Sequence, residues 1–236
     1  MTQDYDYAKN VLLDLGYTIA EASEIIKEIK LGNYAFPCKK EKSVDLSKQH
    51  LWMKDECTGI DVPVLWTLNL DKDSKNIILL AQDPLRDNDY WNYAEEMQHD
   101  THVIIGTPYA LHISENTKRK PVTAKNRAKR YNVGVYRAII ENLCEQGYNV
   151  YCTDIFKYYM RETPCKEITA FDVKIFINEC NRVNPTKIIA MGKKAQEAVV
   201  KLQIEQEKVI SVPHPKARPQ RSTEQIVNDI IEKLYI

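Results

Sequence analysis

The most regular feature of the chain is a series of short apolar runs that alternate with amphipathic segments. The clearest run, NIILLA at positions 76–81, stops abruptly at Gln82-Asp83-Pro84. An apolar run that ends at turn-forming residues is typical of a buried strand. Because Pro84 disfavours a helical conformation at Asp83, we expect Gln82 and Asp83 in a turn at the strand's carboxyl end. Taken alone, the stretch is also explained by a purely structural Asp-Pro turn.

The second half of the chain continues this alternation. The pattern predicts strands at 149–153, 187–190 and 208–212, and helices at 135–146, 171–181, 193–203 and 223–234. Ser222 or Thr223 is suited to cap the last helix. Parallel strands separated by helices predict helices on both faces of a sheet. The expected fold is α/β: a three-layer αβα domain with a central, mostly parallel four-stranded sheet.

The N-terminal region carries a different pattern. Apolar positions recur at helical spacing over 5–30, interrupted at Gly16, which predicts two helices. We expect residues 1–60 to form an N-terminal helical extension packed on the core, and residues 61–236 to form the α/β domain. A DNA-reading helix pair is an alternative, disfavoured by the few basic residues in the second helix. Residues 62–70 predict an extra strand or the lead-in to the core.

Composition narrows the function classes. Thirty-three basic residues balance 33 acidic ones, so any affinity for nucleic acid requires a local basic surface. No targeting signal or membrane span is expected, which favours a cytoplasmic protein. The six cysteines form no C-x-x-C pair, which argues against a zinc ribbon and a zinc deaminase. Free thiols are expected, an iron–sulfur cluster is disfavoured, and no metal or other cofactor is expected.

One segment is strongly basic and contains no acidic residue. Its members are Lys118, Arg119, Lys120, Lys125, Arg127, Lys129, Arg130 and Arg137. A solvated helix face is the ordinary explanation of a charge run, but such a face usually mixes both signs. The one-sided charge favours a surface that binds phosphate groups.

Polar residues stand where three of the predicted strands stop: Gln82 and Asp83, Asp154, and His214. Together with neighbouring residues they form five short motifs: QDP at 82–84, GTPY at 106–109, TDIFK at 153–157, IAMGKKA at 189–195 and HPKAR at 214–218. In this order, and on these elements, the motifs resemble those of the uracil-DNA glycosylase superfamily over roughly residues 77–219.

The resemblance implies a monofunctional DNA N-glycosylase that flips a base out of DNA and hydrolyses its N-glycosidic bond, leaving an abasic site. Asp83 would position the water and steady positive charge on the sugar, and His214 would stabilise the departing base. Tyr109 would stack on the flipped base, beside Gln82, and Arg218 would wedge into the duplex. The expected DNA contacts are Lys118, Arg119, Lys120, Lys125, Arg127, Arg130, Lys216 and Arg218. The partner is double- or single-stranded DNA, with no obligatory protein partner.

Two positions depart from the uracil-specific pattern. Leu85 replaces the family's tyrosine, which excludes a methyl group at C5, and Asp154 replaces its uracil-reading asparagine. A carboxylate only accepts hydrogen bonds, and so mismatches uracil O4 but suits the amino group of cytosine. If burial keeps Asp154 protonated, it can also donate to N3. These departures favour a C5-modified cytosine, as found in viral DNA, and a phage-defence role. The alternatives are repair of uracil or other damaged bases, and a non-catalytic DNA-binding protein; a nuclease is least favoured.

Overall fold

The structure, a computed structural model, describes residues 1–31, 35–36, 57–68, 74–82, 102–103, 133–160, 167–215, 217 and 221–235. The α-helices in these residues are α1 (Asp6–Asp14), α2 (Ile19–Lys30), α3 (Val133–Glu145), α4 (Ala170–Val183), α5 (Lys193–Lys201) and α6 (Thr223–Leu234). The strands are β1 (Thr2–Asp4), β2 (Ala35–Phe36), β3 (Cys57–Ile60), β4 (Val64–Thr67), β5 (Lys75–Ala81), β6 (His102–Val103), β7 (Tyr148–Asp154), β8 (Tyr158–Met160), β9 (Lys187–Met191) and β10 (Val209–Val212).

The apolar run that dominates the sequence forms β5, the centre of the main sheet. Parallel strands β7 and β9 pair with its two sides, and β10 extends the sheet beyond β9. Residues 77–81 are all buried, since the strand is covered on both faces. The predicted parallel α/β architecture is therefore confirmed.

The main sheet has six strands where four were predicted, in the order β1-β4-β7-β5-β9-β10. The two additional strands are antiparallel: β4 pairs with β7, and β1 pairs with β4. Strand β4 lies within the apolar stretch 62–70, whose role the sequence left open. A three-residue edge strand such as β1 has too few residues to show a period-two pattern, so it went unpredicted.

Two hydrophobic clusters lie on opposite faces of the sheet. Alternate residues of β5 divide between them, with Ile77 and Leu79 in one cluster and Ile78 and Leu80 in the other. Buried residues of α3 and α6 belong to the first cluster, and most buried apolar residues of α4 and all those of α5 belong to the second. The layers are therefore helix, sheet and helix.

The N-terminal helices share the first cluster. Ala8, Val11 and Leu12 of α1 and four buried residues of α2 belong to it. Helix α1 also packs beside α4, where Asp14 forms an ion pair with Arg182 at 2.7 Å. The ring of Tyr7, also on α1, meets the ring of Tyr151 edge-on, with the ring centroids 5.6 Å apart.

Side-chain caps fix where three helices begin. The side chains of Thr18, Thr169 and Ser222 each accept a hydrogen bond from the backbone amide of the third helical residue. The side chain of that third residue in turn accepts a hydrogen bond from the backbone amide of the capping residue. These capping boxes satisfy backbone donors that the helix itself leaves unpaired. Of the two predicted caps for α6, Ser222 is the one used.

Candidate functional site

The carboxyl ends of the parallel strands meet along one edge of the sheet. The register sets Ala81 of β5 beside Asp154 of β7, and Met191 of β9 beside Val212 of β10. The chain passes from β5 to β7 on one side and then crosses to β9 on the other, so strand order reverses at β5. In open α/β sheets, ligands bind outside the carboxyl ends of the strands at such a reversal. Three predicted site residues, Gln82, Asp154 and His214, lie on this edge.

Gln82 is fixed by its backbone beyond the last paired residue of β5. The Ile155 amide donates to Ala81 at 3.1 Å, and the Phe156 amide donates to the carbonyl oxygen of Gln82 at 3.1 Å. Hydrogen bonding between the two segments thus continues one residue past β5 and two residues past β7. Gln82 itself is half-buried.

His214 lies against a glycine at the end of the neighbouring strand. A Cβ atom on Gly192 would stand 3.1 Å from the Cβ of His214 and 3.6 Å from its Cδ2. The Gly192 amide also donates to the carbonyl oxygen of Val212 at 2.8 Å, which ties the end of β9 to β10. Gly192 is the N-cap of α5 with φ 84 and ψ 169, a conformation nearly restricted to glycine. Backbone geometry and close approach both require glycine here.

Asp154 ends β7 and has no exposed surface. Its backbone amide donates to Oδ2 of Asp61 at 3.1 Å. By contrast, His214 at the same edge is exposed and Gln82 is half-buried.

A fully buried charged cluster lies next to Asp154. The ammonium group of Lys157 is 3.0 Å from Oδ2 of Asp61 and 2.8 Å from Oε2 of Glu179. Tyr151 donates to Oε1 of Glu179 at 2.8 Å. Lys157 also donates to the hydroxyl oxygen of Thr153, which lies 3.0 Å from Asp61 and 2.7 Å from Glu179. The single Thr153 proton serves one carboxylate at a time.

Attraction to the two neighbouring carboxyl groups keeps Lys157 charged despite its burial. Burial lowers the pKa of Lys157, but Glu179 and Asp61 outweigh it and hold the pKa above its ordinary value. Burial raises the pKa of the Glu179 carboxyl group, and Lys157 opposes the rise. Burial, followed by the charge of Glu179, raises the pKa of the Tyr151 hydroxyl well above its usual range. Tyr151 is therefore a neutral hydrogen-bond donor, and Lys157 is a cation.

Sequence reasoning missed Asp61 and Glu179 and gave Lys157 no role. Asp61 is 96 residues from Lys157, and Glu179 is 22 residues away on α4. Lys157 stood within the TDIFK motif, which was its only local signal. The sequence around Asp61 and around Glu179 does not indicate that either residue pairs with Lys157, so only the fold could reveal this cluster.

Several predicted site residues lie outside the described residues. They are Asp83, Leu85, Tyr109, Lys118, Arg119, Lys120, Lys125, Arg127, Arg130, Lys216 and Arg218. The TDIFK motif, the start of α5 and His214 are described, and they share the carboxyl edge with Gln82.

Two further features are absent from the described part of the chain. No group of three or more histidine, cysteine, aspartate or glutamate residues there is arranged to hold a metal ion. No helix there combines the length and apolar character needed to cross a membrane.

Comparison with known families gave a match over more than half of the chain. The family model described as "Uracil DNA glycosylase superfamily" matches residues 72–234, which include β5, β7, β9 and β10. A comparison with curated proteins found no match. The matched segment contains every predicted site residue, whereas Asp61, β1 and β4 precede it.

Proposed function

Since the chain belongs to the uracil-DNA glycosylase superfamily, we propose that it is a monofunctional DNA glycosylase whose substrate is a C5-modified cytosine. It would flip the base from DNA and hydrolyse the bond between base and sugar. Asp83 would position the attacking water, and His214 would stabilise the departing base. The observation that carries the proposal is the position of Asp154, buried at the sheet edge that also holds Gln82 and His214.

The chemistry of Asp154 favours cytosine over uracil. Uracil presents a carbonyl oxygen at C4, and a carboxylate facing it would oppose acceptor to acceptor. Cytosine presents an amino group there, which a carboxylate can accept. Because Asp154 has no exposed surface, water could not relieve a mismatch, and an unsatisfied buried polar group costs about 1–3 kcal/mol or more. This penalty would act against uracil.

Leucine at position 85 favours a base that carries a substituent at C5. The superfamily's uracil-specific members carry a tyrosine at this position, and leucine is smaller and more flexible. A hydrocarbon wall discriminates weakly, by about 1–3 kcal/mol per methylene-sized difference. Leu85 would therefore admit the larger base, while Asp154 would supply most of the discrimination. Cytosines with bulky C5 groups occur in viral DNA, which makes defence against phage the proposed biological role.

Purified full-length protein would test the reaction. Duplex and single-stranded oligonucleotides would carry one uracil, cytosine or bulky 5-substituted cytosine each, and alkali would cleave the abasic sites formed. We expect release of the substituted cytosine and little release of uracil. Efficient uracil release with the substituted base untouched would instead identify a repair glycosylase.

Two variants test the roles proposed for Asp83 and Asp154. Asp83→Ala should abolish base release while leaving DNA binding in place; if the wild type also binds without releasing any base, the chain is a non-catalytic DNA-binding protein. Asp154→Asn should shift the ratio of kcat/KM towards uracil, because an amide can donate to O4. Asp14→Asn is a matched control, since it makes the same substitution in an ion pair between α1 and α4. An unchanged ratio in Asp154→Asn would mean that Asp154 does not read the base.

A further inference from the structure

Asp61 is a residue from outside the matched family segment that contacts the proposed base-reading position. It lies between β3 and β4, eleven residues before the match begins at residue 72. Its side chain has no exposed surface. Its Oδ2 atom accepts the backbone amide of Asp154 at 3.1 Å and lies 3.0 Å from the ammonium group of Lys157. Asp61 therefore connects an N-terminal segment directly to the end of β7.

The contact between Asp61 and the end of β7 is two-sided. The Asp61 backbone amide donates to the carbonyl oxygen of Lys157 at 2.7 Å, while the side chain binds the amide of Asp154 and the ammonium group of Lys157. Asp61 thus holds both ends of the 154–157 turn. Hydrogen bonds to charged groups are roughly twice as strong as neutral ones, and no solvent competes for these buried atoms.

Stability alone is a weak explanation for such a cluster. Taking two carboxyl groups and an ammonium group out of water is costly, and apolar residues of the same volume often stabilise a fold as well or better. A buried charged cluster instead defines position, because few other arrangements satisfy all of its partners. The backbone that it fixes most directly is that of Asp154.

We propose that Asp61, together with Lys157, is a positioning residue that holds Asp154 in place for base selection. This proposal rests on the proposed function, since it assumes that Asp154 reads the base. It makes a residue before the family match part of the specificity apparatus, although Asp61 supplies no atom to the reaction. Asp61 acts through the backbone of Asp154 and does not touch the base.

The test uses three variants of the full-length chain. Asp61→Asn keeps the shape of the side chain but removes its charge. The triple variant Asp61→Asn, Lys157→Met, Glu179→Gln removes all three charges at once, so that no buried charge is left unpaired and the fold is kept. Asp14→Asn is the control, because it weakens an ion pair to Arg182 away from the sheet edge.

Two quantities are measured in each variant. The first is the hydrogen-exchange rate of the Asp154 amide by nuclear magnetic resonance, relative to that of Val150 in the same strand. The second is the ratio of kcat/KM for substituted cytosine to that for uracil. We expect Asp61→Asn and the triple variant to speed relative exchange about fivefold or more, since a charged acceptor is lost. Both should also lower the kcat/KM ratio. Asp14→Asn should leave both quantities within about twofold of the wild type.

The outcomes separate the two proposals. If the folded triple variant keeps the exchange rate and the base preference of the wild type, the cluster is only structural and the positioning role is refuted. If exchange speeds up but the preference stays, Asp61 holds the backbone without affecting selection, which also refutes the proposal. If the wild type releases no base at all, the proposed function fails and the role in base selection fails with it, and faster exchange in Asp61→Asn then shows only that Asp61 holds the backbone of Asp154.

Discussion

Gly192→Ala is the most direct test of how the sheet edge positions His214. The new Cβ would stand 3.1 Å from the Cβ of His214 and 3.7 Å from its Cα. Carbon atoms pack best at about 3.5–4.0 Å, so the two residues would have to separate by about 0.5 Å. Gly192 cannot move freely, since its amide is bonded to the carbonyl oxygen of Val212. The displacement would therefore fall largely on His214.

Two effects of different size follow from Gly192→Ala. Alanine at φ 84 and ψ 169 is strained by about 1–3 kcal/mol, which lowers the free energy of unfolding. If His214 has the proposed catalytic role, a shift of 0.5 Å should lower kcat about tenfold, because a shift of 1 Å in a catalytic group can cost about 100-fold in rate. DNA affinity should change little, because the substitution adds no charge and removes none.

Gly147→Ala provides the control for backbone strain. Gly147 also has a positive φ, 86, but nothing lies within 4 Å of where its Cβ would be. The Gly147→Ala variant should have a lower free energy of unfolding in urea but the same kcat for base release as the wild type. Single-turnover measurement of base release from a substituted-cytosine duplex would compare the two variants with the wild type. A kcat for Gly192→Ala within about twofold of the wild type, or an equal loss in Gly147→Ala, would refute the argument that the contact positions His214.

Three further predictions concern stability. Burial raises the pKa of the Cys144 thiol to about 11 and that of Cys180 to about 12, from an ordinary 9.0. Because these thiols ionise earlier in the unfolded chain, stability should be full below pH 9 and fall as the pH rises towards 12, by about 3 kcal/mol for Cys144 alone. Urea midpoints at pH 8 and 10.5 would test this, and Cys144→Ala should reduce the slope; a pH-independent midpoint would contradict it. Ser222→Ala removes the cap of α6 and should cost about 1 kcal/mol in urea unfolding, whereas exposed Glu224→Gln should cost less. Asn184 ends α4 in a left-handed conformation, so Asn184→Val should cost about 1–2 kcal/mol and Asn184→Gly little; equal melting temperatures for these two variants would show that the conformation is unstrained.

The parallel part of the fold could be predicted from the sequence because the patterns that indicate it lie within single segments of the chain. Each strand from β5 to β10 in the main sheet is an apolar run bounded by turn residues, and each following helix has a buried face at regular spacing. Motifs at the strand ends then identified the family, which the match over residues 72–234 confirms. The roles assigned to Asp83, Asp154 and His214 remain predictions.

Contacts between segments far apart in the chain could not be predicted from the sequence. Strand β1 is too short to show a pattern, and its place at the sheet edge depends on pairing with β4, some 60 residues later. In the same way, nothing near Asp61 indicates Lys157 or Glu179 as partners. The sequence determined which segments are buried, because hydrophobic periodicity is a property of neighbouring residues. Only the tertiary structure decided which buried charged groups meet, since that depends on how separate elements pack. The packing places Asp61, Lys157 and Glu179 next to Asp154.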